Sequence, residues 1–203
     1  MSATNRGAKR VDKDVYNTPS WATELIVREI AWGDSAIVLE PCAGQGAIAE
    51  VLVRCNVGAV ETADIDASAP FGNGEDFLTT EYDVKYDFIL TNPPFSLAQE
   101  FIEKSLRIAN CVIMLLPLGF YGAESRHEWW AAHEPTAQFV LSKRPMFGKN
   151  KDGKWGSDSE TYAWLVWDST GRQKRGFYHL CPTPEQHKRS VAEFRRRFGG
   201  DAS

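Results

Sequence analysis

The sequence predicts an α/β protein with a mostly parallel sheet. Segments with strand and helix patterns alternate along much of the chain, as is typical of a parallel sheet covered by helices on both faces. The segment at 111–117 (CVIMLLP) carries no charged residue, as expected for a strand buried on both faces. Glycine and polar residues follow three of the predicted strands, at the end of the sheet where this fold class binds ligands.

The individual elements follow from the hydrophobic pattern in chain order. A helix is predicted over 17–33, where Thr18 and Pro19 mark the start, apolar residues recur at helical spacing and Gly33 marks the end. Further helices are predicted at 47–55, 97–109, 127–132 and 184–198. Strands are predicted at 36–40, 59–64, 86–91, 111–117, 137–142 and 160–167. The segment 144–159 is predicted to be a loop.

The 203 residues suffice for one domain, and no repeat or linker divides them. We interpret 1–15 as a flexible polar segment and 16–203 as a single domain with a basic region and a C-terminal helix at 143–203. No apolar run reaches the ~20 residues that span a bilayer, and the N-terminus lacks a hydrophobic signal segment. A cytoplasmic protein without membrane contact is therefore expected. The four cysteines form no C-x-x-C pair, so neither a metal site nor a disulfide framework is expected.

The net charge of −4 is unevenly distributed along the chain. Residues 24–103 contain 15 acidic and 3 basic side chains, whereas residues 143–198 contain 13 basic and 6 acidic ones. A basic second half indicates contact with an anionic partner such as a nucleic acid. The alternative is an ordinary solvated polar surface.

A glycine-bearing turn, PCAGQG at 41–46, follows the first predicted strand and its terminal Glu40. Glycine permits a tight turn and lets a ligand approach the backbone closely, and the next helix begins with unpaired amides. The pattern departs from the dinucleotide fingerprint because Ala49 stands at its third glycine position. The turn therefore indicates either a cofactor site or an ordinary connection.

Two acidic positions follow in the next loops. Asp64 ends the second predicted strand about 20 residues after the glycine turn, the separation at which a carboxylate accepts hydrogen bonds from ribose hydroxyls. Asp76 and Phe77 combine an acceptor with a ring, a pair suited to an adenine. Each position could instead be a plain turn or a helix cap.

The segment at 92–95, Asn-Pro-Pro-Phe, follows the strand predicted at 86–91. A residue before proline is held in extended geometry, so the chain here is stiff. The side-chain oxygen of Asn92 and the backbone carbonyl of Pro93 are thereby fixed as two neighbouring acceptors. Such acceptors can hold the N–H bonds of a planar amine and favour a tetrahedral nitrogen whose lone pair faces an electrophile. Phe95 offers a surface for base stacking.

These motifs, taken together, resemble the S-adenosylmethionine-dependent amino-methyltransferases. The likeness covers 17–167 and is strongest to small DNA N6-adenine methyltransferases of bacteriophages and prophages. It implies a Rossmann-like class I methyltransferase sandwich, with a mostly parallel seven-stranded sheet and an antiparallel last strand near 160–167. It also implies S-adenosyl-L-methionine as the cofactor.

The resemblance assigns roles to individual residues. The cofactor-binding residues would be Tyr16, Thr18, Glu40, Cys42, Ala43, Gly44, Gly46, Asp64, Asp76, Phe77 and Asn92. The catalytic residues would be Asn92, Pro93 and Phe95. The substrate-binding residues would be Pro94, Phe95, Lys143, Arg144 and Phe147. The family's tetrapeptide more often ends in Tyr, and its large target-recognition domain is missing here, so specificity would come from the loops at 119–134 and 148–159.

The expected activity is methyl transfer to the N6 amine of an adenine flipped out of DNA. The same chemistry could act on RNA adenine, on cytosine N4 or on a protein glutamine, and a silent binding protein with this fold is a further alternative. The four histidines show no ligand spacing, and Trp129, Trp130, Trp164 and Trp167 are interpreted as packing residues. Cys42 is not interpreted as a nucleophile, because no histidine lies near it in sequence. The patterns predict neither the recognition sequence nor the oligomeric state.

Overall fold

The structure, a computed structural model, describes residues 17–148, 156 and 159–198. Within these ranges the strands are β1 (Ile37–Glu40), β2 (Ala59–Thr62), β3 (Tyr86–Thr91), β4 (Ala109–Pro117), β5 (Ala137–Leu141), β6 (Tyr162–Asp168) and β7 (Gly176–Leu180). They form one sheet in the order β2-β1-β3-β4-β6-β5-β7. Strand β6 is antiparallel to both of its neighbours, whereas the other pairs are parallel.

The helices of the described ranges are α1 (Ser20–Glu29), α2 (Ala49–Arg54), α3 (Ala98–Ile108), α4 (His127–Ala132) and α5 (Pro184–Phe198). Short 3-10 helices lie at Phe95–Leu97, Leu118–Gly122 and Glu124–Arg126. Side chains of α1 and α2 pack on one face of the sheet, and side chains of α3 and the Leu118–Gly122 turn pack on the other. None of these helices is both long and apolar enough to cross a membrane.

Strand β4 forms the centre of the protein. Alternate side chains of a strand point to opposite faces. Accordingly Cys111, Ile113 and Leu115 belong to the core on the α1 side, while Val112, Met114 and Leu116 belong to the core on the α3 side. All six are at most 1% exposed, which confirms the prediction of a strand buried on both faces.

The α/β fold class and the antiparallel strand predicted at 160–167 are confirmed. The first helix is shorter than predicted, because it begins at Ser20 after Pro19 and ends where Ile30 becomes extended. Strand β2 ends at Thr62, so Asp64 lies in the following loop and not on the strand.

Strand β7 is not among the strands predicted from the hydrophobic pattern of the sequence. It lies at the sheet edge and pairs in parallel with β5. Only Leu180 of its five residues is buried, and Phe177 is 58% exposed. The strand therefore carries little of the hydrophobic pattern on which sequence prediction depends. With β7 the sheet has the seven strands that the resemblance implied, although the last of them is parallel to its neighbour.

Candidate functional site

A cleft opens at the carboxyl ends of β1, β2 and β3. These strands are parallel neighbours, so their carboxyl ends meet at one edge of the sheet. The cleft encloses about 960 Å³ when measured out to its mouth. The predicted cofactor residues that line it are Thr18, Glu40, Cys42, Ala43, Gly44, Asp64, Asp76, Phe77 and Asn92. Tyr16 lies outside the described residues.

The glycine turn forms one wall of the cleft. Gly44 and Gly46 adopt φ values of 47° and 74°, in the left-handed region that favours glycine. A Cβ atom on Gly46 would lie 2.2 Å from the ring of Phe71, so glycine is required here by a contact within the protein. Gly46, which was predicted to bind the cofactor, is not among the residues that line the cleft. The amide of Gly46 donates to the carbonyl of Ala43 (2.6 Å), which closes the turn ahead of α2.

Asp64 connects the glycine turn to the loop after β2. Its carboxylate accepts hydrogen bonds from the amide of Gly44 (2.8 Å) and from the amide of Asp66 (2.9 Å). Asp64 is 9% exposed and lines the cleft together with Ile65 and Asp66. The predicted ribose acceptor therefore also holds the glycine turn in place.

Glu40 and Cys42 lie at the base of the cleft. Glu40 is 1% exposed, and its Oε2 atom has no hydrogen-bond partner among the described residues. Burial raises the pKa of Glu40 well above its ordinary value, more than the amide of Ala49 lowers it, and the charge of Asp64 raises it further. Burial also raises the pKa of the Cys42 thiol, so this group is protonated at neutral pH. A protonated thiol agrees with the interpretation of Cys42 as a wall residue and not a nucleophile.

Asp76 and Phe77 occupy the far end of the cleft. The carboxylate of Asp76 accepts from the amide of Leu78 (3.0 Å) and so organises the loop. Phe77 is 2% exposed and stacks on Phe101 of α3 with ring centroids 4.9 Å apart. The ammonium of Lys104 lies 5.3 Å from the Phe77 ring and donates to the carbonyl of Thr80. Packing with α3 therefore fixes this loop.

Asn92 is the first residue after β3. Its amide nitrogen donates to the hydroxyl of Thr18 (3.1 Å), a residue that is 2% exposed and precedes α1. This bond uses one of the two N–H donors of the Asn92 amide and so fixes the rotation of the group. The side-chain oxygen is its acceptor. Pro93 is buried, and Pro94 adopts φ −56° and ψ 119° before the 3-10 turn.

Three aromatic rings gather beside Asn-Pro-Pro-Phe. The centroid of Phe95 lies 5.7 Å from that of Tyr162, and Phe147 lies 5.0 Å from Tyr162 on a nearly perpendicular plane. Phe95 and Phe147 were both predicted to bind substrate, although they are 52 positions apart in the chain. Tyr162 was not predicted. Because β6 is antiparallel, its first residue lies at the edge where the parallel strands end, and this placement cannot be derived from local sequence.

Lys143 and Arg144 are exposed in the segment after β5. The pKa of His187 on α5 is lowered by partial burial and then by the positive charge of Lys143. The amino end of α5 therefore lies close to Lys143, and positive charge collects near the carboxyl end of β5. Lys143 and Arg144 of the predicted basic region therefore lie at the ligand-binding edge of the sheet.

The predicted specificity loop at 119–134 is folded against α3. Its residues form two 3-10 turns and α4, and Trp129 donates from its indole nitrogen to Glu103 (2.7 Å). Trp164 and Trp167 are 0% and 5% exposed, which confirms their interpretation as packing residues. Most of 148–159 lies outside the described residues. Within the described ranges, no group of three His, Cys, Asp or Glu side chains is arranged to hold a metal ion.

Sequence reasoning assigned no role to several residues that line the cleft: Ala47, Ile48, Ile65, Ala69, Glu75, Leu97 and Phe101. Ile65 is 57% exposed at the mouth, between two aspartates. An apolar residue between two loop acids is a signal that could have identified it. Leu97 and Phe101 lie within an ordinary helical pattern, so their sequence gave no such signal.

No family model matches the sequence, and no curated protein matches it either. The fold is similar to that of a Listeria monocytogenes protein assigned to the class I S-adenosylmethionine-dependent methyltransferases, with a TM-score of 0.54 and 13% identity over 87% of this chain and 69% of that one. A Pyrococcus horikoshii protein assigned as an RNA methyltransferase gives a TM-score of 0.51 and 14% identity over 72% and 78% of the two chains.

A Vibrio vulnificus protein assigned as the modification subunit of a type I restriction enzyme gives a TM-score of 0.50 and 15% identity. That alignment covers 93% of this chain but 54% of the subunit, so this chain spans about half of its length. Together these likenesses establish the Rossmann-like fold of the class I methyltransferases for this chain.

Proposed function

We propose that the protein transfers a methyl group from S-adenosyl-L-methionine to the N6 amine of a flipped-out adenine in DNA. The observation that carries the proposal is the position of Asn-Pro-Pro-Phe between two surfaces. Asn92 lines the cleft and is oriented by Thr18. Phe95 of the same segment packs against Tyr162, which in turn contacts Phe147. The tetrapeptide therefore links the cleft to a group of aromatic rings.

The residues of the cleft fit S-adenosylmethionine. The buried Glu40 presents an oxygen without a hydrogen-bond partner among the described residues, which suits the positively charged methionine end. Asp64 and Asp66 supply acceptors for the ribose hydroxyls. Asp76 and Phe77 line the same cleft and would hold the adenine.

When bound, the cofactor supplies a methyl group on a positively charged sulfur, ready for an in-line displacement. The chain's own residues act on the other reactant. The Asn92 side-chain oxygen and the Pro93 carbonyl accept hydrogen bonds from the two N–H groups of the target amine, whose nitrogen thereby becomes a better nucleophile. The nitrogen bonds to the methyl carbon as the carbon–sulfur bond breaks, its electron pair stays on sulfur, and the methylated amine loses one proton to solvent. Phe95 stacks on the base and aligns it. Because a base in a duplex cannot reach this position, the adenine must be flipped out.

Nucleic acid is the proposed substrate class because Lys143 and Arg144 lie exposed near the ligand-binding edge. Lysine and arginine bind phosphates and supply much of the affinity for DNA. The structural neighbours include a restriction-modification subunit and an RNA methyltransferase, which supports this class. Adenine in RNA, cytosine N4 and glutamine are the alternative acceptors that experiment must separate from adenine in DNA.

Substitution of Asn92 tests the proposal. We expect Asn92→Ala to reduce single-turnover methylation of an adenine-containing duplex by ~100- to 1,000-fold, because one preorganised acceptor is lost from the transition state. Cofactor affinity, measured by calorimetric titration, should stay close to that of the wild type. Phe95→Tyr keeps a ring and should retain much of the activity, whereas Phe95→Ala should weaken substrate binding. A near wild-type rate for Asn92→Ala would exclude Asn92 from catalysis.

A further inference from the structure

No residue that lines the cleft belongs to the C-terminal helix α5, but several contacts hold this helix firmly against α1. The hydroxyl of Ser20 donates to Ser190 (2.9 Å), and Arg189 forms an ion pair with Glu24 (2.7 Å). Phe194 is 3% exposed. These contacts fix α5 along α1, with its last turn directed at the start of α2.

The last turn of α5 reaches the glycine turn through Arg197. The guanidinium of Arg197 binds both carboxylate oxygens of Glu50, one of them at 2.6 Å. It also donates to the backbone carbonyl of Gln45, inside the glycine turn. Glu50 belongs to the first helical turn of α2, the helix that follows the glycine turn in the chain. A planar guanidinium that binds a carboxylate at two points holds its partner in a defined orientation.

The hydrogen bonds that hold the glycine turn come from two directions. The loop after β2 contributes the carbonyl of Ala63, which accepts from Ala43, and the carboxylate of Asp64, which accepts from Gly44. Arg197 approaches from α5 and binds the carbonyl of Gln45. Glycine residues can adopt many backbone conformations. The contacts from the loop after β2 and from α5 therefore fix the conformation of the glycine turn beside the cleft.

We propose that Arg197 is a positioning residue for the cofactor site. It acts through Gln45 and Glu50, and it keeps the glycine turn in the shape that a bound cofactor requires. Its engagement with Glu50 also means that this basic residue serves the fold of the site and not a phosphate. The inference rests on the proposed function only for the identity of the cofactor.

The test compares Arg197→Ala with Lys188→Ala, which removes the same charge from an exposed position of the same helix. In the protein without ligand, amide hydrogen exchange of 43–48 should be faster in Arg197→Ala than in Lys188→Ala, while exchange of β4 stays the same in both. The Kd for S-adenosylmethionine should rise roughly three- to tenfold in Arg197→Ala, because a charge-assisted contact is lost. KM for the cofactor should rise with it, whereas kcat at saturation should not change.

Two further variants separate positioning from folding. Arg197→Lys keeps one donor and should restore part of the cofactor affinity. Glu50→Gln in the Arg197→Ala background should add little further loss, since both side chains act through one contact. If Arg197→Ala fails to fold, Arg197→Lys takes its place in each measurement.

The outcomes are distinguishable. Exchange and Kd equal to those of Lys188→Ala would overturn the role of Arg197. Absence of cofactor binding by the wild type would contradict the proposed function, and exchange at 43–48 would still decide whether Arg197 holds the turn.

Discussion

Glu40 is a buried carboxyl group beside a cleft that we propose to bind a positively charged ligand. Burial is the main reason why its pKa is raised above the ordinary value of 4.5. A carboxyl whose pKa is raised by folding stabilises the folded state most at low pH, and that contribution declines as the pH rises through the raised value. Ionisation of Glu40 therefore destabilises the ligand-free protein but strengthens the binding of a cationic ligand.

The affinity for S-adenosylmethionine should accordingly depend on pH. The amino group of the cofactor stays charged up to about pH 7, so affinity should rise with pH above the ordinary Glu40 pKa of 4.5, by at most about tenfold per pH unit, because binding favours the ionised carboxylate. Glu40→Gln should remove this dependence and should also raise the stability of the ligand-free protein at neutral pH. Calorimetric titration at several pH values measures the first effect, and urea unfolding measures the second. An identical pH profile for both proteins would show that Glu40 does not titrate with binding.

At the residue scale, sequence reasoning found the residues whose chemistry is written in short motifs. Glu40, Asp64 and Asn92 were predicted because each ends or directly follows a predicted strand, and all three line one cleft. Tyr162 was missed because its place depends on the antiparallel insertion of β6 between β4 and β5. Arg197 was missed as a site residue because its partner Glu50 lies 147 positions earlier in the chain.

At the scale of elements, the segment after β6 shows how one carboxylate organises a loop. Asp168 accepts hydrogen bonds from the hydroxyl and amide of Thr170 and from the amide of Gln173 (2.9 Å). The Gln173 side chain in turn donates to and accepts from the backbone of Ala31, after α1. Burial raises the pKa of Asp168, but these hydrogen bonds outweigh it, so the pKa lies below the ordinary value of 3.8.

Asp168→Ala should destabilise the protein by about 1–2 kcal/mol at neutral pH, because bonds to a partly exposed charged acceptor are lost. A carboxyl whose pKa is lowered by folding stabilises the folded state above its ordinary pKa, and this is lost as the pH falls through the lower value. The difference from the wild type should therefore be similar at pH 7 and pH 5 and should shrink only below 3.8. Urea unfolding measures this difference in stability, and Asp83→Ala, at an exposed position, is the control. Equal stability of Asp168→Ala and the control would contradict the role of this loop.

Elements with strong periodicity were predictable, and β7 was not. Helix α4 at 127–132 and helix α5 at 184–198 have the predicted bounds. Strand β4 was predicted from its apolar run and extends two residues further toward its amino end. Strand β7 gains its place by pairing with β5, a tertiary contact that its five residues do not encode in their hydrophobic pattern.

At the scale of the whole molecule, the charge asymmetry along the chain is partly balanced within the fold. Basic residues of the second half form ion pairs with acidic residues of the first: Arg189 with Glu24, Arg197 with Glu50 and Lys174 with Glu29. These three basic residues are therefore engaged within the fold, whereas the sequence interpretation assigned the whole basic half to an anionic partner. Lys143 and Arg144, near the ligand-binding edge, are the better candidates for phosphate contacts.

Salt dependence of DNA binding tests this narrower surface. Replacing Lys143 and Arg144 together by Ala should reduce the slope of log affinity against log salt concentration by roughly 1 for each residue that meets a phosphate. Lys174→Ala should leave the slope unchanged, because Lys174 is engaged with Glu29. Fluorescence anisotropy of a labelled duplex at several salt concentrations gives the slopes. An unchanged slope in the double variant would mean that other residues meet the phosphates.

Transfer of a labelled methyl group tests the central claim most directly. The protein is incubated with S-adenosylmethionine labelled in its methyl group and with separate pools of DNA, RNA and protein, and labelled products are hydrolysed and identified. Asn92→Ala, which should bind cofactor, is the matched control for turnover. The proposed function predicts label in DNA as N6-methyladenine with the wild type and little or none with Asn92→Ala. Label only in cytosine, RNA or protein, or no label in any pool despite cofactor binding, would contradict it.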